Sequence, residues 1–396
     1  MCEALWSRLR PLVILISFAA VTPAASAQDP ATDASTDGEV RALVVQLGDA
    51  QFEVRERATI RLSRIGLPAR DALVAALKHP DAEVRGRSRR ILAGVLEADY
   101  HHRVDLFAAG GTGPDVEGLP CWSQFRSQIG AEPEARELFV AMLRAEPELM
   151  ETAQHAPGML TGLIRQRTQT LKEMLYGSDP QQRQPLTLGT VAALYFVASR
   201  DEVAVDEQIA SSLYSFSHQS AFQQAARSED PQSKPLRKLL GNWVSRDGGG
   251  GTSYHDMILS LNHDLKQGLD PAVKTLKEGG GSRPHARQYA ILLVGKYGNQ
   301  KHQKLVSDFL DDQAVCGAYR VNEQQINSQV RDVALAVLIH LNGQNHKDYG
   351  FDHLQKNPQY LFSPGTLGFA EDAQREAALK KWKQHSTAQA AAGTMP

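Results

Sequence analysis

The sequence predicts an all-α fold, a helical-repeat array or α-solenoid with irregular helices in its middle, and three observations carry that prediction. Apolar residues recur at helical spacing from Gly38 to about Leu96. The same stretch matches itself when slid by 30 positions. The pattern of its second helices then returns near Val330.

The internal match pairs Leu43 with Leu73, Val44 with Val74, Leu47 with Leu77, Val54 with Val84, Arg55 with Arg85, Arg57 with Arg87, Ala58 with Ser88 and Leu62 with Leu92. Each unit has a first helix (Val40 to Leu47, Ala69 to Lys78), a turn holding Asp49 or Pro80-Asp81, and a second helix (Phe52 to Ile65, Ala82 to Leu96). So short a turn makes the pair antiparallel. Neither pair buries its apolar stripe alone, so neighbouring pairs must stack.

Within the second helices, Val-Arg-x-x-Ala/Ser-x-x-x-Leu puts Val, Ala or Ser, and Leu on one face. It recurs as Val330-Arg331-Asp332-Val333-Ala334 continuing to Leu338, and more loosely as Ala286-Arg287-Gln288-Tyr289-Ala290 continuing to Val294. His302 to Leu310 reads as the first helix of that last pair, Asp311-Asp312 lies near its turn, and residues 313 to 325 are expected as an inserted loop.

Asp-x-x-Val-Arg-x-x-Ala on the second helix of a short helical pair resembles a HEAT repeat, and the 30-residue spacing is similar to the compact HEAT-like repeats first associated with phycobilisome lyases. The whole also resembles secreted bacterial HEAT-containing proteins of unassigned function. The resemblance implies an armadillo-type α-solenoid in which turn aspartates and helix arginines form a ladder between units. Here that ladder maps onto Asp49, Arg55, Asp81, Arg85 and Arg331, and onto Arg287, which lacks an Asp just before it.

Residues 1 to 27 have the layout of a secretory signal: Arg8 and Arg10, an apolar stretch from Leu12 to Val21, and Ala25-Ser26-Ala27. Cleavage is expected after Ala27, because the apolar stretch falls short of the roughly 20 residues a membrane span needs. Residues 28 to 37 read as a flexible leader, 38 to 98 as the first repeats, 99 to 130 as a loop-rich linker with a short helix at Trp122 to Gln128, and 131 to 283 as irregular helices.

In that middle, helices are expected at Pro133 to Arg144, Pro147 to Thr152, Met159 to Leu175, Leu186 to Ser199, Asp206 to Ser215 and Ser220 to Ala226. Pro235 to Val244, Tyr254 to Lys266 and Pro271 to Lys277 complete the set. Proline at several starts suits a first helical turn. Glycine runs at Gly248 to Gly251 and Gly279 to Gly281 read as joints. Residues 284 to 350 form the last repeats and 351 to 385 an aromatic cap with a terminal helix at Glu371 to Gln384, leaving 386 to 396 as a disordered tail.

Charge excludes a broad electrostatic function. The formal net charge is −2, and the chain after residue 27 holds 41 basic and 44 acidic residues. No global field recruits nucleic acid or an anionic membrane. Export would place Cys121 and Cys316 where they pair or stay as buried free thiols, and their separation of 195 positions favours the latter.

Glu97, Asp99, His101, His102 and Asp105 are the densest set of metal-ligand types, yet adjacent histidines diverge on a helix, so a solvated helix start is expected. His255-Asp256 and His263-Asp264, eight residues apart, read as a polar face of one helix. His340 reads as structural, and Arg85, Arg87, Arg89 and Arg90 as a face alternating with acids. Tyr195, Phe196, Trp243 and Tyr289 are expected in the core, whereas Tyr214 and Phe216 beside His218 are candidates for a groove.

Gly248 to Gly251 lacks the Lys-Ser/Thr of a phosphate loop, and no nucleophile elbow or zinc-protease motif occurs. The expectation is a non-catalytic exported scaffold for a protein or peptide partner, with no cofactor, no metal and no membrane insertion after cleavage. Its alternatives are a hydrolase or lyase using His101, His102 or His255 in the irregular middle, and a structural spacer.

Overall fold

A computed structural model describes residues 30–393 other than 180, 182, 228–229, 247–253, 279–282 and 322–323. The signal segment at 1–27 and both glycine runs lie outside the described residues. The chain is predominantly helical and divides into two compact units, one ending at His102 and the other beginning at Arg103.

The first unit contains α1 (Pro30–Gln46), α2 (Phe52–Ile65) and α3 (Arg70–Ala76), and α4 (Ala82–Ala108) starts within it. Its core collects Val40, Leu47, Ala58, Leu62, Leu73, Val84, Ile91 and Leu92. Every position of the Val-x-x-x-Ala/Ser-x-x-x-Leu pattern is buried except Val54, which is half-buried. Helix α1 packs on α2 and α3, as an apolar stripe at helical spacing requires. Val74 departs from the internal match: it is exposed, whereas its counterpart Val44 packs at the edge of the core.

Two expectations fail at the borders of this unit. The flexible leader is helical from Pro30 onward, with proline placed where a first turn accepts it. The second long helix does not stop at Leu96 but runs to Ala108, so the segment read as a linker is helical for its first part. Tyr100, Val104 and Phe107 explain the extension, because they are buried at i, i+4 and i+7 and continue an apolar stripe through a polar sequence.

The second unit continues with α5 (Pro114–Glu117), α6 (Trp122–Gln128), α7 (Pro133–Ala145), α8 (Pro147–His155), α9 (Leu160–Tyr176), α10 (Leu188–Ala198), α11 (Glu207–Phe216) and α12 (Ser220–Ala225). Helix α10 is its hub. It is apolar on all sides, buried along its length, started by the Thr187 side chain accepting from the Thr190 N–H, and packed on α7 and on α13 (Ser233–Ser245). Gly189 permits the approach to α7, since a Cβ there would collide with the Ala141 carbonyl oxygen. Phe107, Trp122, Phe125, Phe139 and Phe196 form a continuous aromatic cluster beside it.

Then follow α14 (Tyr254–Asn262), α15 (Leu269–Glu278), α16 (Pro284–Tyr297) and α17 (Gln303–Ser307). The expected helix Tyr254 to Lys266 ends four residues early, because Asp264 takes a left-handed backbone with φ of 57° and turns the chain into a 3-10 turn at Lys266–Gly268. The expected loop at 313 to 325 is instead an antiparallel hairpin, β1 (Val315–Val321) with β2 (Gln324–Gln329). Cys316, Ile326 and Ser328 are its buried residues, and β2 shows period-two alternation that its glutamines and asparagine disguise in the sequence.

Helix α18 (Val330–Leu341) packs on α16, so the two helices with the recurrent Arg pattern are neighbours. A second small ribbon, β3 (Lys356–Asn357) with β4 (Leu361–Phe362), and α19 (Asp372–Gly393) finish the chain. Tyr349, Phe351, Phe362, Phe369 and Trp382 are buried in one cluster with α16 and α18. Helix α19 continues to Gly393, through most of the segment expected as a disordered tail. No helix among the described residues is long and apolar enough to cross a membrane.

Candidate functional site

The arginines and aspartates of the proposed ladder hold turns together mainly through backbone groups. Arg55 donates from Nη1 to the Asp49 carbonyl at 2.7 Å and the Ala50 carbonyl at 3.1 Å, while the Asp49 carboxylate accepts from the Gln51 N–H at 2.8 Å. Arg85 repeats this on the His79 and Pro80 carbonyls, both at 2.7 Å, with Asp81 accepting from the Glu83 N–H. The link between the two repeats is carried by Arg87, which is buried and donates to Glu56 at 2.7 Å and to Thr59, and by Arg55 reaching Glu83 at 3.7 Å.

In the second unit Arg287 pairs with Asp312 at 2.8 Å, the acid lying after rather than before it in sequence. Arg331 bonds Gln329 and Glu376, and its neighbour Asp332 pairs with Arg375 at 2.7 Å in a nearly water-free setting. These are structural contacts.

The acid and histidine set around residue 101 does not converge. His101 and His102 are exposed, and Asp105 pairs with Arg144 at 2.8 Å. Among the described residues no group of three or more His, Cys, Asp or Glu side chains is arranged to hold a metal ion. Arg89 and Arg90 are exposed. His340 makes an edge contact with Phe362. Cys121 and Cys316 are both free and buried, and burial pushes their thiols up to about 11 and about 12.

Surface features concentrate where α11, α14, α16 and the β3–β4 loop meet. The His255 ring lies 4.0 Å from Tyr254 and 4.4 Å from Tyr214, and Tyr214 lies 4.6 Å from His218. Tyr289 and Tyr360 continue the row at 6.2 Å from one another. Tyr214, Tyr254, His255, Tyr289 and Tyr360 are all half-buried. Burial first, and then the neighbouring Tyr289 and Tyr214 hydroxyls, push Tyr360 up to about 12, while its hydroxyl bonds Asn262. Phe216 is fully buried and belongs to the core instead.

His255 and Asp256 differ in burial, the histidine half-buried and the aspartate buried. Asp256 is buried and accepts from Trp243 Nε1 at 2.7 Å and from Arg246 at 3.2 Å, an internal brace that leaves His255 with the tyrosines.

Beyond Asn262 lies an open cleft of about 390 Å³, walled by Arg227, Arg237, His263, Asp264 and Lys296 with Gln359 from the β3–β4 loop. Lys296 pairs with Asp264 at 3.0 Å and donates to the Gln359 carbonyl at 2.8 Å, and Tyr297 donates to Asp264 at 2.7 Å. His263 is buried, and its Nε2, like Arg237 Nε, has no hydrogen-bond partner among the described residues. Burial, with Arg237 and His218 adding to it, pushes the His263 imidazolium down to about 4, so the ring is neutral near pH 7.

Sequence reasoning missed this cleft because its side chains come from four separate helices and a loop. The one available signal is His263-Asp264, expected with His255-Asp256 as a polar face of one helix, whereas that helix ends at Asn262. Searched against models of known protein families and against curated proteins, the sequence finds no match.

Proposed function

We propose that the chain is an exported, HEAT-like helical-repeat scaffold that binds a protein or extended peptide partner and catalyses no reaction. The observation that carries this reading is the half-buried row of Tyr214, Tyr254, Tyr289 and Tyr360 with His255, set against the charged cleft. Tyrosines contribute large, rigid contact area with a polar tip, and they dominate the energetic centres of protein interfaces. Stacked helical pairs supply long surfaces of this kind. The signal-like residues 1–27 support placement outside the cytoplasm.

The test is capture from an envelope fraction under mild crosslinking, using the full chain and a Tyr214→Ala/Tyr254→Ala variant. The reading expects a defined protein recovered by the parent and lost by the variant. No specific recovery, or the same proteins from both, refutes it.

A further inference from the structure

The cleft beside the tyrosine row carries charge that its own walls do not use up. Its described lining includes Arg227, Arg237 and Lys296 against the single carboxylate of Asp264. That carboxylate is paired with Lys296 and accepts from the Tyr297 hydroxyl, and Arg237 only adds to its field, so among the described residues neither guanidinium has an ion pair in the lining. Arg237 Nε and His263 Nε2 are both buried without a partner among the described residues, an arrangement that burial disfavours unless a water, an ion or a ligand completes it.

We propose that this cleft receives a carboxylate of an acidic peptide segment, held by Arg227 and Arg237, while the residues flanking that acid lie on the tyrosine row. The assignment rests on the scaffold reading above. Guanidinium and carboxylate match as planar, two-pronged partners, which accounts for arginine rather than lysine as the surplus charge. A peptide carboxylate is assigned rather than free phosphate because the cleft adjoins the tyrosine row, where only a ligand with residues flanking its acid can make contact. Asn262, which lines the cleft and bonds Tyr360 of the row, joins the two surfaces into one path.

The full chain is titrated against fluorescein-labelled hexaglutamate and hexaglutamine by anisotropy, with N-acetylglutamate and inorganic phosphate as competitors. The parent is expected to bind hexaglutamate over hexaglutamine, more weakly at high salt. An Arg227→Gln/Arg237→Gln variant should lose about tenfold or more, the scale of a charged hydrogen bond. Arg227 is exposed, so Arg227→Glu keeps the fold and should weaken binding by itself.

Equal binding of the two peptides, unchanged affinity in Arg227→Glu, or phosphate displacing hexaglutamate at lower concentration than N-acetylglutamate overturns the assignment. Partner capture that survives the arginine variants sinks the carboxylate site and leaves the scaffold reading standing. Hexaglutamate bound by a chain that captures no partner does the reverse.

Discussion

Acidification should destabilise the second unit through His263, and its surroundings set the size of the effect. The imidazole is 6% exposed, 6.0 Å from the Phe222 ring on α12, beside Arg237 on α13 and His218, with Asp264 and Lys296 completing the cleft. Its folded value of about 4 lies below the ordinary 6.5, so the folded state holds fewer protons than the unfolded one. Above pH 6.5 both states are neutral and the group contributes nothing; stability is lost as the pH falls from there toward 4. At about 1.4 kcal/mol for each tenfold change in proton affinity, moving from pH 7 to pH 5 removes about 2 kcal/mol.

Urea unfolding followed by tryptophan fluorescence reads this directly, because three of the four tryptophans, Trp122, Trp243 and Trp382, belong to the second unit, and Trp6 lies in the signal-like segment. The comparison is with His263→Asn, which cannot titrate. Burial raises Asp256 and Asp332 and lowers His255, His340 and His346, and these contributions are common to both chains and cancel. The parent should lose about 2 kcal/mol more than the variant between the two pH values. Parallel pH profiles would refute the buried, neutral imidazole.

Three further outcomes follow from packing and burial. Leu62→Ala, at a position with no exposure, should cost about 2–5 kcal/mol, seen as faster hydrogen exchange across α1 to α4; unchanged exchange would refute the repeat register. Arg375→Ala strands the buried Asp332 carboxylate and should cost about 3–5 kcal/mol by the same fluorescence assay, a loss below about 1 kcal/mol counting against a dry ion pair. Cys121 and Cys316, with thiols pushed up to about 11 and about 12, should resist iodoacetamide at pH 8 until the chain is denatured.

Much of the helical layout was legible in local chemistry. Pro133 and Pro147 mark first turns, and Phe52–Ile65 and Trp122–Gln128 stand where the sequence placed them, whereas Thr187 and Asp206, expected inside their helices, cap them instead. Polarity misled elsewhere. His101 and His102 fall in the segment expected as a loop-rich linker, although Tyr100, Val104 and Phe107 carry the buried stripe onward. The hairpin at Val315–Gln329 was hidden because half of its short alternation is glutamine and asparagine. The cleft was not legible at all: Arg227, Arg237, His263 and Lys296 are scattered over 70 positions, and only the tertiary packing of α12, α13, α14 and α16 brings them together.

The most direct test of partner binding replaces Tyr254 with a photoreactive phenylalanine analogue in the producing cell, with Lys277, exposed on α15, replaced likewise as a control. The account predicts crosslinks from position 254 to an acid-containing segment of one protein, absent from position 277. Crosslinks that are missing, or spread over the same abundant proteins from both positions, would contradict it.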